Sequence, residues 1–371
     1  MNWRYHNPVD IRFGAGSLDG LAALTVGRSV TAVVFPEANE IGIVRRLHAV
    51  LGASLISVID RTEPNPDVAS LAALYETFWS GEDSGDVIVA VGGGSAIDTA
   101  KALMIGTPDR RFASLIALLA TGKVFAPHAV KPLIAVPTTA GTGSEVTPWA
   151  TIWDRAAQRK YSLHLPQTWP TAAVIDPQLT LSLPAEPTLA AALDALSHAL
   201  ESIWNVNANA ISDTHAIAAA TTVLDVLPKL MRDRANLALR TRMSRAALQA
   251  GLAFSNTKTA LAHSISYEMT LRHGLPHGIA CSFTLPMVLA RATGIDAVRD
   301  HVLAQIFGDD LAAAPAALAD FLERLGVSTR FESYGVDAAE ATQMVDTALD
   351  GVRGRNFIGA GKPAAVHNVL Q

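Results

Sequence analysis

Hydrophobic and polar positions follow different patterns in the two halves of the chain. Up to about Leu183, short apolar runs rich in β-branched residues alternate with segments of helical periodicity. These runs lack the strict alternation of a half-exposed strand, which is typical of parallel strands buried on both faces. The pattern predicts strands at residues 30–35, 55–59, 86–91 and 132–136. We therefore expect an α/β domain with a Rossmann-like parallel sheet over residues 1–183.

The pattern changes twice towards the C-terminus. In residues 151–175, TIWD and KYSLHL are separated by a short polar turn, which predicts a hairpin beside the sheet. After Pro184 the β-branched clusters nearly vanish, and alanine and leucine recur at helical spacing, as in LAAALDALSHALESIW. We expect an all-α second domain over residues 184–371.

Composition narrows the class of protein. The chain has 371 residues, of which half are hydrophobic and 17% charged, and its formal net charge is −5. No basic excess is available to neutralise phosphates, so nucleic acid is not an expected partner. No apolar run reaches the ~18–20 residues of a membrane span, and the N-terminus lacks the apolar core of a signal peptide.

A single cysteine, Cys281, excludes an internal disulfide. Together with the missing membrane and export signals, this favours a cytoplasmic protein without a membrane partner. Cys281 itself is interpreted as a small buried hydrophobic side chain.

Two turns that follow buried strands have the composition of a phosphate-binding site. In VIVAVGGGSAIDTAK a strand ends in three glycines and a helix begins near Ser95. Glycines allow a phosphate close to the backbone, and helix N-terminal amides favour its charge. The alternative is a tight turn in which Ser95 and Asp98 form a capping box.

The second turn, VPTTAGTGSEVT, is rich in small residues and hydroxyls. Such turns also stabilise themselves through local backbone hydrogen bonds. Two strand-end loops of this kind in one α/β domain nevertheless favour a dinucleotide, with one loop for each end of the ligand.

Candidate metal ligands lie in the helical half. Asp194 and His198 are four residues apart, so a helix presents both on one face. An isolated buried Asp–His pair is more often a structural hydrogen bond, but His263 and His277 follow in a second apolar helical region. One carboxylate and three imidazoles suit Fe²⁺, Zn²⁺, Ni²⁺ or Mn²⁺ better than Mg²⁺ or Ca²⁺.

The blocks GGGSAIDTAK, PTTAGTGSEVTPWATIWD, DALSHALES and the His263…PHG pattern occur in this order along nearly the whole chain. In this combination the chain resembles the iron-containing (group III) alcohol dehydrogenases, whose fold is shared with dehydroquinate-synthase-like enzymes. The resemblance implies a divalent metal, Fe²⁺ or Zn²⁺, held by Asp194, His198, His263 and His277. It also implies NAD(H) or NADP(H) bound by Gly93, Gly94, Ser95, Asp98, Thr138, Thr139, Thr142, Ser144 and Lys160.

The implied reaction is reduction of a small aldehyde to a primary alcohol by reduced nicotinamide, with the metal polarising the carbonyl. The resemblance also points to a homodimer. Rival interpretations are a dehydroquinate-synthase-like lyase, a glycerol-phosphate dehydrogenase, and a sensor that binds the nucleotide without turnover. The quoted metal and turn blocks favour the dehydrogenase over all three.

Three residues depart from the family pattern or extend it. Many members have a histidine four residues after the ligand at His263, often assigned to the proton path, and Tyr267 replaces it here. His273 is an alternative relay or an uninvolved histidine near a turn. Lys258 stands where small residues are common, and its cation predicts a contact with an anionic substrate or, alternatively, a solvent-facing charge.

The wider block SNTKTALAHSISY…HGLPHGIACSFTLP and the opening WRYHNPVDIRFGAG resemble the phosphonoacetaldehyde reductase branch of the family. This makes Lys258 a candidate phosphonate contact, supported by Arg272 where geometry permits. The alternative substrate is an uncharged short-chain aldehyde or alcohol. The preference between NAD(H) and NADP(H) stays open. An acidic residue after the first strand of such a domain binds the ribose 2′-hydroxyl of NAD and repels a 2′-phosphate, but Pro36 occupies that position here and Glu37 is adjacent.

Overall fold

A computed structural model describes residues 2–81 and 84–361. It divides into two compact units, with the boundary between Leu183 and Pro184. The first unit begins at Asn7, and the described residues that precede it belong with the second unit.

The first unit is an α/β structure built around a six-stranded sheet. Its elements in chain order are β1 (Asp10–Phe13), α1 (Leu21–Leu24), β2 (Val30–Val34), α2 (Ile43–Leu51), β3 (Leu55–Ile59), α3 (Val68–Ser80), β4 (Val87–Gly92), α4 (Gly94–Leu103), β5 (Ile105–Gly106), α5 (Phe112–Ala120), β6 (Ala129–Val130), β7 (Leu133–Pro137), β8 (Trp149–Asp154), β9 (Arg159–His164) and β10 (Ala172–Ile175).

The main sheet has the strand order β1-β10-β7-β4-β2-β3, and all its pairs are parallel. The four predicted strands are confirmed as β2, β3, β4 and β7, each within about one residue of its expected bounds. The predicted hairpin is confirmed as the antiparallel pair β8 and β9. Residues 172–175, however, form no part of it, because they insert between β1 and β7.

Burial explains why these strands lack polar alternation. Along β2, Val33 packs into the core on one face of the sheet, while its neighbour Val34 packs into the core on the other face. Along β4 the same division separates Ile88 from Val89. Helices cover both faces, so neither set of side chains meets water. The carboxyl ends of β4 and β7 therefore emerge side by side, at residues 92–95 and 138–144.

The second unit is helical. Its helices are α6 (Ala185–Ile203), α7 (Ala210–Arg232), α8 (Leu237–Thr257), α9 (Leu261–His273), α10 (His277–Ser282), α11 (Leu285–Ala292), α12 (Ala297–Phe307), α13 (Ala314–Arg324) and α14 (Ala338–Asp350). Helices α6, α7 and α8 pack against one another, and α10 packs against α6 and α9. In the described part of the chain, no helix is both long and apolar enough to cross a membrane.

Candidate metal centre and cofactor loops

Helix α6 supplies one wall of a buried polar cluster. Asp194, His198 and Glu201 lie at spacings of four and three residues, so they share the helix face that is turned inward. Their exposed fractions are 3%, 5% and 0%. Since charged side chains are almost never buried without partners, this face requires an explanation from the rest of the unit.

Glu201 connects α6 to the start of α9. Its carboxylate accepts hydrogen bonds from the backbone N–H groups of Ala260, Ala262 and His263 at 2.9, 2.6 and 3.3 Å. These are unpaired amides of a helix N-terminus, where a negative charge is favourable. Oε2 also lies 2.6 Å from Nδ1 of His263. Nδ1 therefore carries a hydrogen and donates it, so the neutral form of the ring has its lone pair on Nε2.

Helix α10 completes the cluster with His277 and Cys281, one helical turn apart. Gly278 makes this possible, because a Cβ there would lie 1.9 Å from the carbonyl oxygen of Ala190 in α6. The backbone of α10 thus approaches α6 more closely than any residue with a side chain permits. Without this contact, His277 and Cys281 would stand farther from Asp194.

The donor atoms of these helices converge. One ligand atom each from Asp194, His263, His277 and Cys281 lies within 4.8 Å of the other three. Nε2 of His263 lies 3.4 Å from Oδ1 of Asp194, and Sγ of Cys281 lies 3.6 Å from Nε2 of His277. Of these residues, His277 is the partly exposed one, so the cluster opens at His277.

His198 stands at the edge of this group. Its Nε2 lies 3.7 Å from Oδ1 of Asp194, beyond a normal hydrogen bond. Its ring stacks between Phe254 and His263, with centroid distances of 4.0 and 4.5 Å. The alternative of a simple Asp194–His198 hydrogen bond does not match this geometry.

Three buried atoms of the cluster have no hydrogen-bond partner among the described residues: Oδ1 of Asp194, Nε2 of His263 and Nδ1 of His198. Buried orphan donors and acceptors are rare because each costs desolvation energy. The first two face each other at a distance at which both can bind one cation. The donor set of carboxylate, imidazole and thiol therefore fits a divalent transition metal.

Electrostatics favour the ligand forms of Asp194, His198 and Cys281. Burial lowers the pKa of His198 to about 4, so its ring is neutral at pH 7. Burial by itself raises the pKa of Asp194, but His198 and His263 outweigh it and hold that pKa below its usual range. Burial likewise raises the pKa of Cys281, whereas His263 and His277 bring it down to about 7. Burial lowers the pKa of His263 and His277, but Cys281 and the nearby carboxylates outweigh it and raise both values, so a bound metal displaces a proton from these two rings.

The positively charged side chain of Arg353 lies beside the open end of the cluster. The Tyr267 ring is partly buried and stacks at 6.3 Å from that of His277. Above Tyr267, the Arg353 guanidinium carbon is 4.8 Å from the ring centroid, and Arg353 Nε donates to Oγ1 of Thr259 at 2.9 Å. Burial raises the pKa of Tyr267, which Arg353 partly offsets, so the phenol keeps its proton at neutral pH.

Lys258 is exposed and ends helix α8 with a φ of 67°. A non-glycine residue in this region is strained. Side-chain amides hold the turn, since Asn205 donates to the carbonyl oxygen of Lys258 and Asn207 to that of Thr257. Lys258 thus shapes the turn that leads into α9, and its ammonium group reaches solvent.

The remaining charged groups of α9 belong to a surface cluster. Arg272 pairs with Glu268 and with Glu340, so the expected support of Arg272 for a substrate anion is not favoured. His273 Nε2 lies 3.4 Å from Oε1 of the same Glu340. This nitrogen of His273 has no hydrogen-bond partner among the described residues, and His273 is not among the converging donors.

In the first unit, the two predicted phosphate loops contact each other. The backbone N–H of Thr138 donates to the carbonyl oxygen of Gly92 at 3.0 Å. A Cβ on Gly94 would lie 2.9 Å from Cγ2 of Thr142, and one on Gly93 would lie 3.2 Å from Cγ2 of Thr139. The glycines therefore allow the two loops to pack together.

The capping box considered for Ser95 and Asp98 does not form. Helix α4 has no side-chain cap, and Oγ of Ser95 accepts a hydrogen bond from the backbone of Asn65 at 3.1 Å. Asp98 accepts instead from Oγ of Ser144 at 2.7 Å and from the backbone of Thr151 at 2.9 Å. Both side chains thus tie the loops to their surroundings.

Beneath these loops lies the buried ammonium group of Lys101. It donates to the Ser144 hydroxyl and to the carbonyl oxygens of Ser144, Thr147 and Trp149, at 2.7–2.9 Å. Burial lowers the pKa of Lys101 to about 8, and it raises the pKa of nearby Glu145 to about 7. Lys160, in β9, is partly buried.

Comparison with known proteins now decides the family. A family model for iron-containing alcohol dehydrogenase matches residues 8–177, and the model for the C-terminal part of the same family matches residues 188–370. The chain belongs to the iron-containing alcohol dehydrogenase family. It is an oxidoreductase of small alcohols and aldehydes.

Individual relatives of this dehydrogenase differ in the substrates that their names give. A phosphonoacetaldehyde reductase of Streptomyces viridochromogenes is 40% identical over 55% of this chain, and the match spans about half (52%) of that relative's length. An NAD-dependent methanol dehydrogenase of Bacillus methanolicus is 30% identical over 80% of this chain and 79% of its own. A solved sulfoacetaldehyde reductase of Bifidobacterium kashiwanohense, in complex with NAD⁺, superimposes with a TM-score of 0.88 at 31% identity, covering 96% of this chain and 94% of that one.

Three residues in or beside the candidate metal centre were not predicted as site residues. Glu201 continues the Asp194–His198 face by one turn, a signal that the periodicity contained. Cys281 is buried as expected, but it faces His277, four residues earlier, instead of an apolar core. Arg353 gave no signal, because it lies in an irregular segment far along the chain from Tyr267.

Proposed function

We propose that this dehydrogenase reduces phosphonoacetaldehyde to 2-hydroxyethylphosphonate. The observation that carries the proposal is the guanidinium of Arg353 over Tyr267, next to His277 at the open side of the cluster. A guanidinium group beside the candidate metal site suits a small aldehyde that also carries an oxyanion. The names of two relatives, a phosphonoacetaldehyde and a sulfoacetaldehyde reductase, describe substrates of this form.

Asp194, His198, His263 and His277 are the proposed protein ligands of the divalent metal, Fe²⁺ or Zn²⁺. When bound, the metal supplies Lewis-acid polarisation of the aldehyde carbonyl, and reduced nicotinamide supplies the hydride. Glu201 holds His263 in the required tautomer. Tyr267, protonated at neutral pH, is the proposed proton donor to the carbonyl oxygen as its negative charge develops.

The two loops at the ends of β4 and β7 are proposed to bind the cofactor, with the helix N-terminus at Gly94 facing its pyrophosphate. The proposed cofactor contacts are Gly93, Gly94, Ser95, Asp98, Thr138, Thr139, Thr142, Ser144 and Lys160. Glu37 is exposed just beyond β2. A carboxylate there holds a ribose 2′-hydroxyl and repels a 2′-phosphate, so we propose that NADH is preferred over NADPH.

Steady-state oxidation of NADH and NADPH tests this function, with phosphonoacetaldehyde, sulfoacetaldehyde and propanal as substrates at matched metal loading. We expect the largest kcat/KM for phosphonoacetaldehyde with NADH. Equal kcat/KM for propanal would refute the anionic substrate and favour a general short-chain alcohol dehydrogenase. Binding of NADH without turnover of any aldehyde would favour the nucleotide sensor.

A further inference from the structure

We propose that the thiolate of Cys281 is a ligand of the bound cation, which adds a sulfur donor to the carboxylate and imidazoles. This inference rests on the metal site of the proposed function. It does not depend on the identity of the aldehyde.

The distances between donor atoms carry the argument. Metal bonds of about 2.3 Å to sulfur and about 2.0–2.1 Å to nitrogen or oxygen, at angles of about 90–110° in sites of four to six ligands, place neighbouring ligand atoms about 2.9–3.6 Å apart. Oδ1 of Asp194 lies 3.4 Å from Nε2 of His263, which matches two ligands of one cation. Sγ of Cys281 lies 3.6 Å from Nε2 of His277 and 3.7 Å from its Nδ1, so the sulfur is close to both ring nitrogens. With Asp194 and His263, these two side chains offer donor atoms that all lie within 4.8 Å of one another, close enough to converge on one cation.

Burial and the unsatisfied atoms support the same conclusion. Cys281 is fully buried, and the side chains of Asp194 and His263 are only 4% and 3% exposed. Oδ1 of Asp194 and Nε2 of His263 find no hydrogen-bond partner among the residues that the structure describes. A cation between Asp194, His263 and Cys281 satisfies both orphan atoms, whereas a thiol that only donates to His277 satisfies neither.

The local structure fixes the sulfur in this position. Cys281 follows His277 by one helical turn, so both project from the same face of α10. The contact of Gly278 with Ala190 holds that face against α6. Because thiolates favour Zn²⁺ and Co²⁺ over harder cations, the sulfur makes the site more selective for these metals. Binding also releases the thiol proton to solvent.

Cobalt substitution of the full-length protein tests the proposal. A cobalt–thiolate bond gives an intense sulfur-to-metal charge-transfer band in the near ultraviolet, separate from the weaker visible bands that any bound Co²⁺ shows. Cys281 is the only cysteine in the chain, so this band has a single source. We expect it in the wild type and expect its loss in Cys281→Ser and Cys281→Ala, with the visible bands retained.

The outcomes separate the two proposals. Visible cobalt bands without the charge-transfer band in the wild type overturn Cys281 ligation and leave the metal site intact. No bound cobalt at all overturns the metal site as well. In competition for Zn²⁺ with a chelating dye, Cys281→Ser should bind Zn²⁺ at least about tenfold more weakly than the wild type. Loss of a residue that only orients a ligand already lowers metal affinity by about 10–100-fold. An unchanged affinity contradicts the proposal.

A measurement on the wild type alone removes the dependence on variant folding. Zn²⁺ should slow alkylation of the single thiol by iodoacetamide by more than tenfold relative to the metal-free protein, because a bond to the cation lowers the nucleophilicity of the thiolate sulfur. Equal rates with and without stoichiometrically bound Zn²⁺ would overturn the proposal. Melting curves of both forms establish that the comparison is between folded proteins.

Discussion

The Oε2 atom of Glu201 lies 2.6 Å from Nδ1 of His263, and both side chains are buried. The same carboxylate accepts hydrogen bonds from the first backbone amides of α9. One side chain thus fixes both the helix start and the ring that the helix carries. Glu201 is therefore a positioning residue of the metal centre.

We predict that Glu201→Gln lowers Zn²⁺ affinity by about 10–100-fold, because an uncharged amide does not increase the basicity of the His263 ring as the carboxylate does. It should also lower the free energy of unfolding by about 3 kcal/mol, through the loss of a buried charged partner. Chelator competition and urea unfolding measure these effects. Glu323→Gln, an exposed change in α13, is the control. Equal Zn²⁺ affinities of the two variants would contradict the assigned role.

Gly278→Ala should destabilise the protein by at least about 1–3 kcal/mol and weaken metal binding, because its Cβ would overlap the carbonyl oxygen of Ala190 and displace α10. Gly20→Ala is the matched control, since it has a φ of −81° and no atom within 4 Å of the added Cβ. Thermal melting and metal titration of both variants provide the comparison. A Gly278→Ala protein as stable as the control would show that the close approach of α10 is unnecessary.

The two candidate anion contacts differ in position, and substitution separates them. Arg353→Met should raise KM for phosphonoacetaldehyde roughly tenfold or more, as expected for the loss of a charge-assisted hydrogen bond, and leave KM for propanal nearly unchanged. Lys258→Gly removes the other cation and relieves the strain of its φ of 67°. We expect a smaller rise in KM for Lys258→Gly, because that side chain is exposed. The reverse order would assign the substrate anion to Lys258.

Tyr267 and His273 are rival proton donors. Tyr267→Phe should lower kcat by about 10²-fold or more if the phenol donates to the developing alkoxide. His273→Gln should leave kcat within about twofold, because His273 lies beside Glu340 and outside the group of converging donors. A solvent isotope effect that disappears in Tyr267→Phe would support the assignment. A large loss confined to His273→Gln would restore His273 as the relay.

Glu145 gives the first unit a pH dependence. Burial raises its pKa from 4.5 to about 7. Between these values the folded chain holds a proton that the unfolded chain releases. The contribution of Glu145 to the free energy of unfolding is therefore complete below pH 4.5. It is lost as the pH rises through 7, by at most about 3 kcal/mol.

Urea unfolding at pH 5 and pH 7 measures this loss, with Glu145→Gln as the variant that has no proton to release. The unfolding free energy of the wild type minus that of the variant should fall from pH 5 to pH 7. Lys101 keeps its charge over this interval, because its pKa is about 8, so the change belongs to Glu145. A difference independent of pH would show that Glu145 is ionised throughout.

Local patterns predicted those parts of the fold that depend on neighbouring residues. The apolar runs gave β2, β4 and β7, since strands buried on both faces are continuous in hydrophobicity. Helical spacing placed Asp194 and His198 on one face. The position of β10 between β1 and β7 was not predictable in this way, because the order of parallel strands depends on contacts between distant segments.

In the candidate site, too, contacts between distant segments could not be predicted from local patterns. The contact of Glu201 with His263 spans 62 residues, and that of Arg353 with Thr259 spans 94. Neither separation leaves a periodic signal. A lone cysteine in an apolar stretch has the pattern of a hydrophobic residue, so only the approach of α10 to α6 reveals its polar surroundings.

The donor side chains come from three helices, with 87 positions from Asp194 to Cys281. Closing a flexible loop of that length costs about 4 kcal/mol of chain entropy, so an unfolded chain holds a cation poorly. Metal uptake therefore follows assembly of α6, α9 and α10, and the binding energy then opposes their separation. We therefore expect the helical unit to resist proteolysis longer with a bound metal than without one.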